Sequence, residues 1–173
     1  ESCRMPASAA SPQPFGGRTV FVTGASGFIG THLVEALLRQ GCEVRCLVRP
    51  TTPATHLLRP DVLRVSGALA DPGSYRRALT GCDTVFHLAG LVSSRRAGDL
   101  LKTNGQGTAR LAEACGDRAN PPRLVAVSSL AAAGPPRADR GFRDESDPPT
   151  PVSHYGISKR AGEIELQKRA GRL

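Results

Sequence analysis

The stretch TVFVTGASGFIG, Thr19 to Gly30, constrains this chain more than any other. A short β-branched run ends in a glycine turn, and the turn opens directly into a segment where Ile29, Leu33, Ala36 and Leu37 recur at helical spacing. Gly41 stands where a helix would be capped. Strand, turn and helix in that order begin a βαβ unit. Gly24, Gly27 and Gly30 are spaced differently from the G-x-G-x-x-G pattern, yet they meet the same physical needs. One glycine permits the tight turn, another lets the backbone approach a diphosphate, and a third lets helix pack closely on strand. The free N–H groups at the helix start favour phosphate. Such a turn can also be purely structural; its place as the first βα turn of an alternating chain favours the ligand-binding reading.

The alternation continues through EVRCLV (43–48), VLRV (62–65), TVFHLAG (84–90) and RLVAVSS (123–129), each read as a strand. A short helix is expected from Asp71 through Leu79, with Asp71 at the N-cap and Pro72 at N1. A longer one runs from about Leu100 to Cys115, with Leu101, Asn104, Thr108, Leu111 and Cys115 on one face. Residues 134–153 read as loop, and a last helix begins near His154. Strands alternating with helices predict a doubly wound α/β domain with a parallel sheet in the order 3-2-1-4-5. Ligand then binds outside the carboxyl ends of strands 1 and 4, where the order reverses.

Composition narrows the partners. Across 173 residues, 39% hydrophobic and 22% charged, no apolar run approaches the length of a membrane span. The net charge of +8 comes from scattered arginines, not a cluster with interleaved aromatics, so an anionic small ligand is expected and nucleic acid is not. Five cysteines without metal spacing, and no secretory signal, suggest a reduced, cytoplasmic protein. No metal site is expected. Residues 1–17, rich in Ser, Ala and Pro, read as a disordered tail, and 18–173 as one domain. At the end of the second strand an acid would bind the ribose 2′-OH of NAD and an arginine the 2′-phosphate of NADP. Arg49 stands there, which favours NADP(H), although a surface arginine would look the same.

Near the end of the chain HYGISK places Tyr155 and Lys159 four apart, on one helical face. With TGASGFIG, HLAG, SSLAAAG and YGISK in that order, residues 18–173 resemble the extended short-chain dehydrogenase/reductases, the NAD-dependent epimerase/dehydratase family. The resemblance implies a Rossmann-type fold and an NAD(P) cofactor. It implies that Gly24, Gly27, Phe28, Ile29 and Gly30 line the diphosphate and that Leu88, Ala89 and Gly90 pass beneath the adenosine ribose. It makes Tyr155 the general acid/base, with Lys159 supplying a nearby ammonium and a hydrogen bond to the nicotinamide ribose. An unperturbed phenol, with pKa about 10, is a poor base at neutral pH, and a neighbouring cation favours its phenolate. Ser129 would hold the substrate oxygen, with Ser128 as the alternative, and Asn104 would support the site. Family members often form homodimers through helices that include the Tyr/Lys helix.

Three departures stand out. Ala68 occupies the position of a common adenine-contacting aspartate, which leaves backbone around Leu69 for that contact. Val92 replaces a lysine usual in nucleotide-sugar 4-epimerases. The chain also stops inside the helix that bears Lys159, so the later strands and the substrate lobe are expected to be missing. The expected activity is NAD(P)-dependent redox chemistry at a carbinol or carbonyl, on a nucleotide sugar or a dihydroflavonol- or hydroxysteroid-like substrate. The alternative is a cofactor-binding fragment without turnover. His87 reads as a packed core histidine, and His154 as solvent-facing.

Overall fold

The computed structural model describes residues 14–172. Five parallel strands form one sheet in the order β3-β2-β1-β4-β5. They are β1 (Thr19–Thr23), β2 (Glu43–Val48), β3 (Val62–Ser66), β4 (Thr84–His87) and β5 (Arg123–Ala126). This is the doubly wound, Rossmann-type order expected, with its reversal between β1 and β4. In register, Thr23 pairs with Leu47 on one side and His87 on the other, and His87 pairs with Ala126. The turns leaving these strands therefore emerge side by side along one edge of the sheet.

Apolar residues on both faces of β1 explain why it lies at the centre. Val20 and Val22 pack with Val44, Cys46 and Val48 beneath α1 (Phe28–Arg39), which contributes Val34 and Leu37. Phe21 faces the other way, toward Tyr75, Leu79, Val85, Leu111 and Cys115. Each fully buried side chain of this kind contributes about 1.5–3 kcal/mol. On β5 the cover is thinner: Val125 and Val127 are 41% and 42% exposed, on the face shared with Phe86.

Three elements differ from the sequence expectation. The short helix after Asp71 is two 3₁₀ turns, Pro72–Ser74 and Arg76–Leu79, with Asp71 Oδ1 accepting from the Gly73 N–H at 3.1 Å. The longer helix is composite: α2 (Ala97–Leu100), a π-helical stretch Leu101–Gly107, and α3 (Thr108–Gly116). The wider π turn changes the phase of the face, so Leu101 is 43% exposed while Asn104, Thr108, Leu111 and Cys115 are buried. A one-turn helix, α4 (Leu130–Ala133), follows β5 and is capped by Ser129; local pattern alone does not reveal a helix so short. The last helix, α5 (His154–Gln167), starts where expected, with Ser153 Oγ accepting from the Gly156 N–H at 3.0 Å.

Of the expected tail, residues 1–13 lie outside the described residues. Phe15 belongs with the core: its ring sits 6.2 Å from that of Phe86, and its carbonyl accepts from Cys42 Sγ at 3.3 Å. Among the described residues no helix is long and apolar enough to cross a membrane, and no three metal-binding side chains gather.

Candidate active site

The glycine turn after β1 is set by close approach. Gly24 has φ +76°, and a Cβ there would lie 2.6 Å from the Ala89 nitrogen and 2.7 Å from the Leu88 carbonyl carbon. The turns leaving β1 and β4 thus run backbone against backbone. A Cβ on Gly30 would lie 2.2 Å from the Gly24 carbonyl oxygen, because the start of α1 presses onto the turn. Gly27 is roomier: a Cβ there would meet only the Gly24 oxygen, at 3.3 Å. Gly27 is also the N-cap of α1 and offers no side-chain bond, so the first N–H groups of a 12-residue helix are left to a ligand.

Above this turn lies a cleft of about 260 Å³ along the carboxyl ends of four strands. Gly24, Ser26 and Gly27 line it after β1; Leu47 near the end of β2, with Arg49 and Thr52 after that strand; Gly67 and Leu69 after β3; and Leu88, Ala89, Gly90 and Leu91 after β4. Thr103 closes it from the π-helical stretch. The lining fits a dinucleotide: small residues and bare backbone where a diphosphate must come close, and apolar walls from Leu47, Leu69 and Leu88 for flat rings. Arg49 stands at the exposed mouth, its Nε 3.3 Å from Thr52 Oγ1. Phe28 and Ile29 are 83% and 57% exposed at the start of α1, outside the cleft lining, while Gly30 is buried beneath the turn.

Behind the cleft floor is a buried polar chain whose direction can be worked out atom by atom. Thr108 Oγ1 donates to the Asn104 carbonyl at 2.6 Å, so it accepts from His87 Nε2 at 2.9 Å. The ring proton is then on Nε2, and Nδ1 accepts from Thr23 Oγ1 at 2.7 Å. Thr23 in turn receives the Ala89 N–H at 3.3 Å. Burial, with the Lys159 charge adding to it, pushes His87 down to about 3, so the ring is neutral in the fold. His87 is the packed core histidine expected, with both ring nitrogens engaged.

Asn104 carries the connection onward. Its Oδ1 accepts from the Leu91 N–H at 2.8 Å, and its Nδ2 donates to the Leu91 carbonyl at 2.8 Å and to Ser158 Oγ at 2.9 Å. Ser158 is buried on α5 and donates to the Tyr155 carbonyl at 2.7 Å. Asn104 therefore stands behind the cleft, not in its lining, and ties the turn after β4 to the Tyr/Lys helix. Two glycines let α5 come this close: a Cβ on Gly162 would lie 2.6 Å from the Asn104 carbonyl oxygen, and one on Gly156 would lie 2.1 Å from the Ala131 carbonyl oxygen.

Tyr155 and Lys159 project one turn apart on α5, both half-buried. Lys159 Nζ donates to the Val127 carbonyl at 2.7 Å, just past the end of β5. Its partial burial lowers its pKa, and the charge of Glu163 opposes that. Ser129 sits at the N-cap of α4, with Oγ accepting from the Ala131 N–H at 3.2 Å, and Gly156 brings that short helix against the base of α5. Ser128 Oγ is bonded to the Glu163 carboxylate, whereas the Ser129 hydroxyl is engaged only by the Ala131 N–H among the described bonds. Ser129, Tyr155 and Lys159 lie outside the cleft lining, at the neighbouring strand end, and Asn104 joins the two regions.

Sequence reasoning missed Ser158, Thr108, Thr23 and Glu163 as members of this network. Ser158 and Glu163 fall three and four residues from Tyr155 and Lys159, a helical spacing that marks a shared face. The Asp71 cap and the alanine at position 68 stand as expected, with Gly67 and Leu69, either side of Ala68, in the lining.

Comparison with known proteins places the chain. The NAD dependent epimerase/dehydratase family matches residues 20–172. The chain is 38% identical over 146 residues to the ceramide reductase of Caulobacter vibrioides, covering 83% of this chain and 40% of that protein. It is 33% identical over 140 residues to the dihydroflavonol 4-reductase of Zea mays, covering 73% and 39%. The Bordetella bronchiseptica enzyme WbmG, solved in complex with NAD and UDP, superposes with a TM-score of 0.77 at 27% identity, covering 88% of this chain and 50% of that one. The chain thus spans half or less of the length of the relatives it matches. By the extent of the family match and by its fold, this chain belongs to the NAD dependent epimerase/dehydratase family.

Proposed function

We propose that the chain binds NADP(H) in preference to NAD(H) across the cleft, and that Tyr155, Lys159 and Ser129 serve proton transfer at a carbinol or carbonyl. The bound nicotinamide supplies or takes up the hydride. The observation that carries this reading is the Asn104 clamp, which fixes the turn of the cleft floor and the helix of the Tyr/Lys pair to one side chain. In this reading Gly24 and Gly27 admit the diphosphate, Arg49 and Thr52 meet a 2′-phosphate, and Leu88, Ala89 and Gly90 support the adenosine ribose. Lys159 holds the nicotinamide ribose and keeps a positive charge near Tyr155. The Tyr155 hydroxyl takes or gives the substrate proton, and Ser129 orients the same oxygen.

The relatives support a reductase, epimerase or dehydratase. The two reductases among them act, by name, on a ceramide and a dihydroflavonol, while WbmG holds UDP. A carbonyl reduction on a dihydroflavonol-like, hydroxysteroid-like or nucleotide-sugar substrate is proposed accordingly. A second reading is that this chain binds the cofactor without turnover, and its support is that the chain spans 40% of a full-length reductase. Fluorescence titration with NADPH and NADH, followed by assay of carbonyl reduction in wild type and Tyr155→Phe, tests both. Binding with turnover lost in Tyr155→Phe supports catalysis. Binding without turnover supports the second reading, and no binding of either dinucleotide overturns both.

Four described cysteines, Cys42, Cys46, Cys82 and Cys115, are free and buried, which suits a reducing, cytoplasmic compartment. Exposed Leu101, Ile157 and Ile164 on the π-helical stretch and α5 support a homodimer through that face, which sedimentation tests.

A further inference from the structure

Ser128 and Glu163 are 35 positions apart in sequence and meet at the carboxyl end of β5. Lys159 and Glu163 lie one helical turn apart on α5, and consecutive residues leaving the strand receive them. The Val127 carbonyl accepts from Lys159 Nζ at 2.7 Å, and the Ser128 hydroxyl donates to Glu163 Oε1. The other carboxylate oxygen is held by Arg160 at 2.9 Å. The carboxylate is thus fixed from the strand and from its own helix, with its side chain only 28% exposed.

We propose that Glu163 is a positioning residue for Lys159: held by Ser128 and Arg160, its carboxylate keeps the Lys159 ammonium charged and seated on the Val127 carbonyl. The inference rests on the role proposed above for Lys159. An ammonium that is half-buried loses hydration, which disfavours its charged form, and a fixed anion one turn away opposes that loss. Among the described residues the surroundings leave this task to Glu163. From β4 the nearby ionisable group is His87, which is neutral with both ring nitrogens engaged. The strand end contributes a carbonyl and a hydroxyl, α4 an uncharged serine cap, and the π-helical stretch the amide of Asn104, with Lys102 exposed. On α5 itself, Arg160 is already paired with Glu163, and Tyr155 lies a turn in the other direction. Glu163 is two turns from Tyr155, so it acts through Lys159 and not on the substrate.

The chain has three lysines, Lys102, Lys159 and Lys168, so isotope-labelled lysine side chains can be assigned one at a time by substitution and titrated by NMR without cofactor. In Glu163→Gln the Lys159 midpoint is expected to fall by about one pH unit, with Lys102 and Lys168 unmoved. In Ser128→Ala, which keeps the carboxylate but frees it, the fall is expected to be smaller and in the same direction. A structural role alone would lower stability and leave the Lys159 midpoint in place. An unmoved midpoint in folded Glu163→Gln overturns the inference, and if that variant does not fold, the Ser128→Ala midpoint decides in the same way. The underlying role of Lys159 is tested separately by NADPH affinity in Lys159→Met. Unchanged affinity there sinks that role whatever the midpoints do.

Discussion

The two halves of the site are built from different materials. The cleft along β1 to β4 is made of backbone and small residues, and its shape depends on atoms that are missing: no Cβ at Gly24, none at Gly30. The Tyr/Lys corner beyond β4 is made of side chains that hold one another, through Asn104, Ser158, Ser128 and Glu163. The first kind of construction fails all at once when an atom is added. The second gives way in steps, because each bond can be lost without filling space that another group needs.

The sharpest way to break this contrast is within the cleft. Gly24→Ala puts a Cβ at φ +76° and 2.6 Å from a backbone nitrogen, and neither strand can move away without breaking the sheet. The expected loss is on the order of 3–5 kcal/mol, read from urea midpoints. Gly27→Ala is the control, since φ there is −83° and the nearest contact is 3.3 Å. It is expected to fold nearly as well as wild type and to lose dinucleotide affinity. If both variants fold equally well, the cleft is not shaped by close backbone approach.

The corner answers to a smaller perturbation. Asn104→Ala leaves the Leu91 N–H and carbonyl and the Ser158 hydroxyl short of partners, at a cost of about 3 kcal/mol. Hydrogen exchange at Leu91 and along the first turns of α5 is expected to accelerate together, because one side chain serves both. Exchange rising at only one of them would show that the two regions are not joined through Asn104.

His87 lies beneath both regions, and its effect depends on pH. Its folded pKa of about 3 is below the ordinary 6.5, so the unfolded chain takes up a proton that the fold excludes. Its contribution to stability is whole above pH 6.5 and is lost as pH falls toward 3, at about 1.4 kcal/mol per pH unit. His87→Gln offers one donor and one acceptor but no ionisation. Comparing urea midpoints of the two proteins across that range isolates the term; parallel acid losses would mean that His87 is not held neutral.

The cleft was far more legible in the sequence than the corner, for a physical reason. A turn that admits only glycine leaves its mark within eight consecutive letters, TGASGFIG, and a strand buried on both faces leaves an unbroken apolar run, as in VFV. Even the end of β2 could be read to the residue, since Arg49 and Pro50 interrupt the run. The corner is held by long-range pairs, and Ser128 carries no sign that its partner is 35 positions away. The π turn was also invisible. It shifts the phase by one residue over a single stretch, which lies so close to α5 that a Cβ on Gly105 would come 3.2 Å from that of Ala161 and one on Gly162 2.6 Å from the Asn104 carbonyl oxygen. The place of Phe15 in the core was equally hidden, because it is a lone aromatic among Pro and Gly, and only the ring of Phe86 gives it a place.

The mildest prediction concerns the mouth of the cleft, where the two styles of construction meet. Arg49 is a side chain at the rim of a backbone-built cleft, exposed, with one bond, to Thr52 at 3.3 Å. Among the described residues its side chain has no other partner, so Arg49→Glu is expected to leave the thermal midpoint unchanged. In the proposed reading its guanidinium meets the 2′-phosphate at the end of β2, and a charge-assisted bond of that kind is worth about tenfold in affinity. Reversing the charge is therefore expected to weaken NADPH about tenfold or more while NADH changes little. Equal losses for both dinucleotides would mean that Arg49 acts as a general rim charge and does not read the 2′-phosphate. Wild type that already prefers NADH would remove the argument for NADP at its source and make Arg49 an ordinary surface residue.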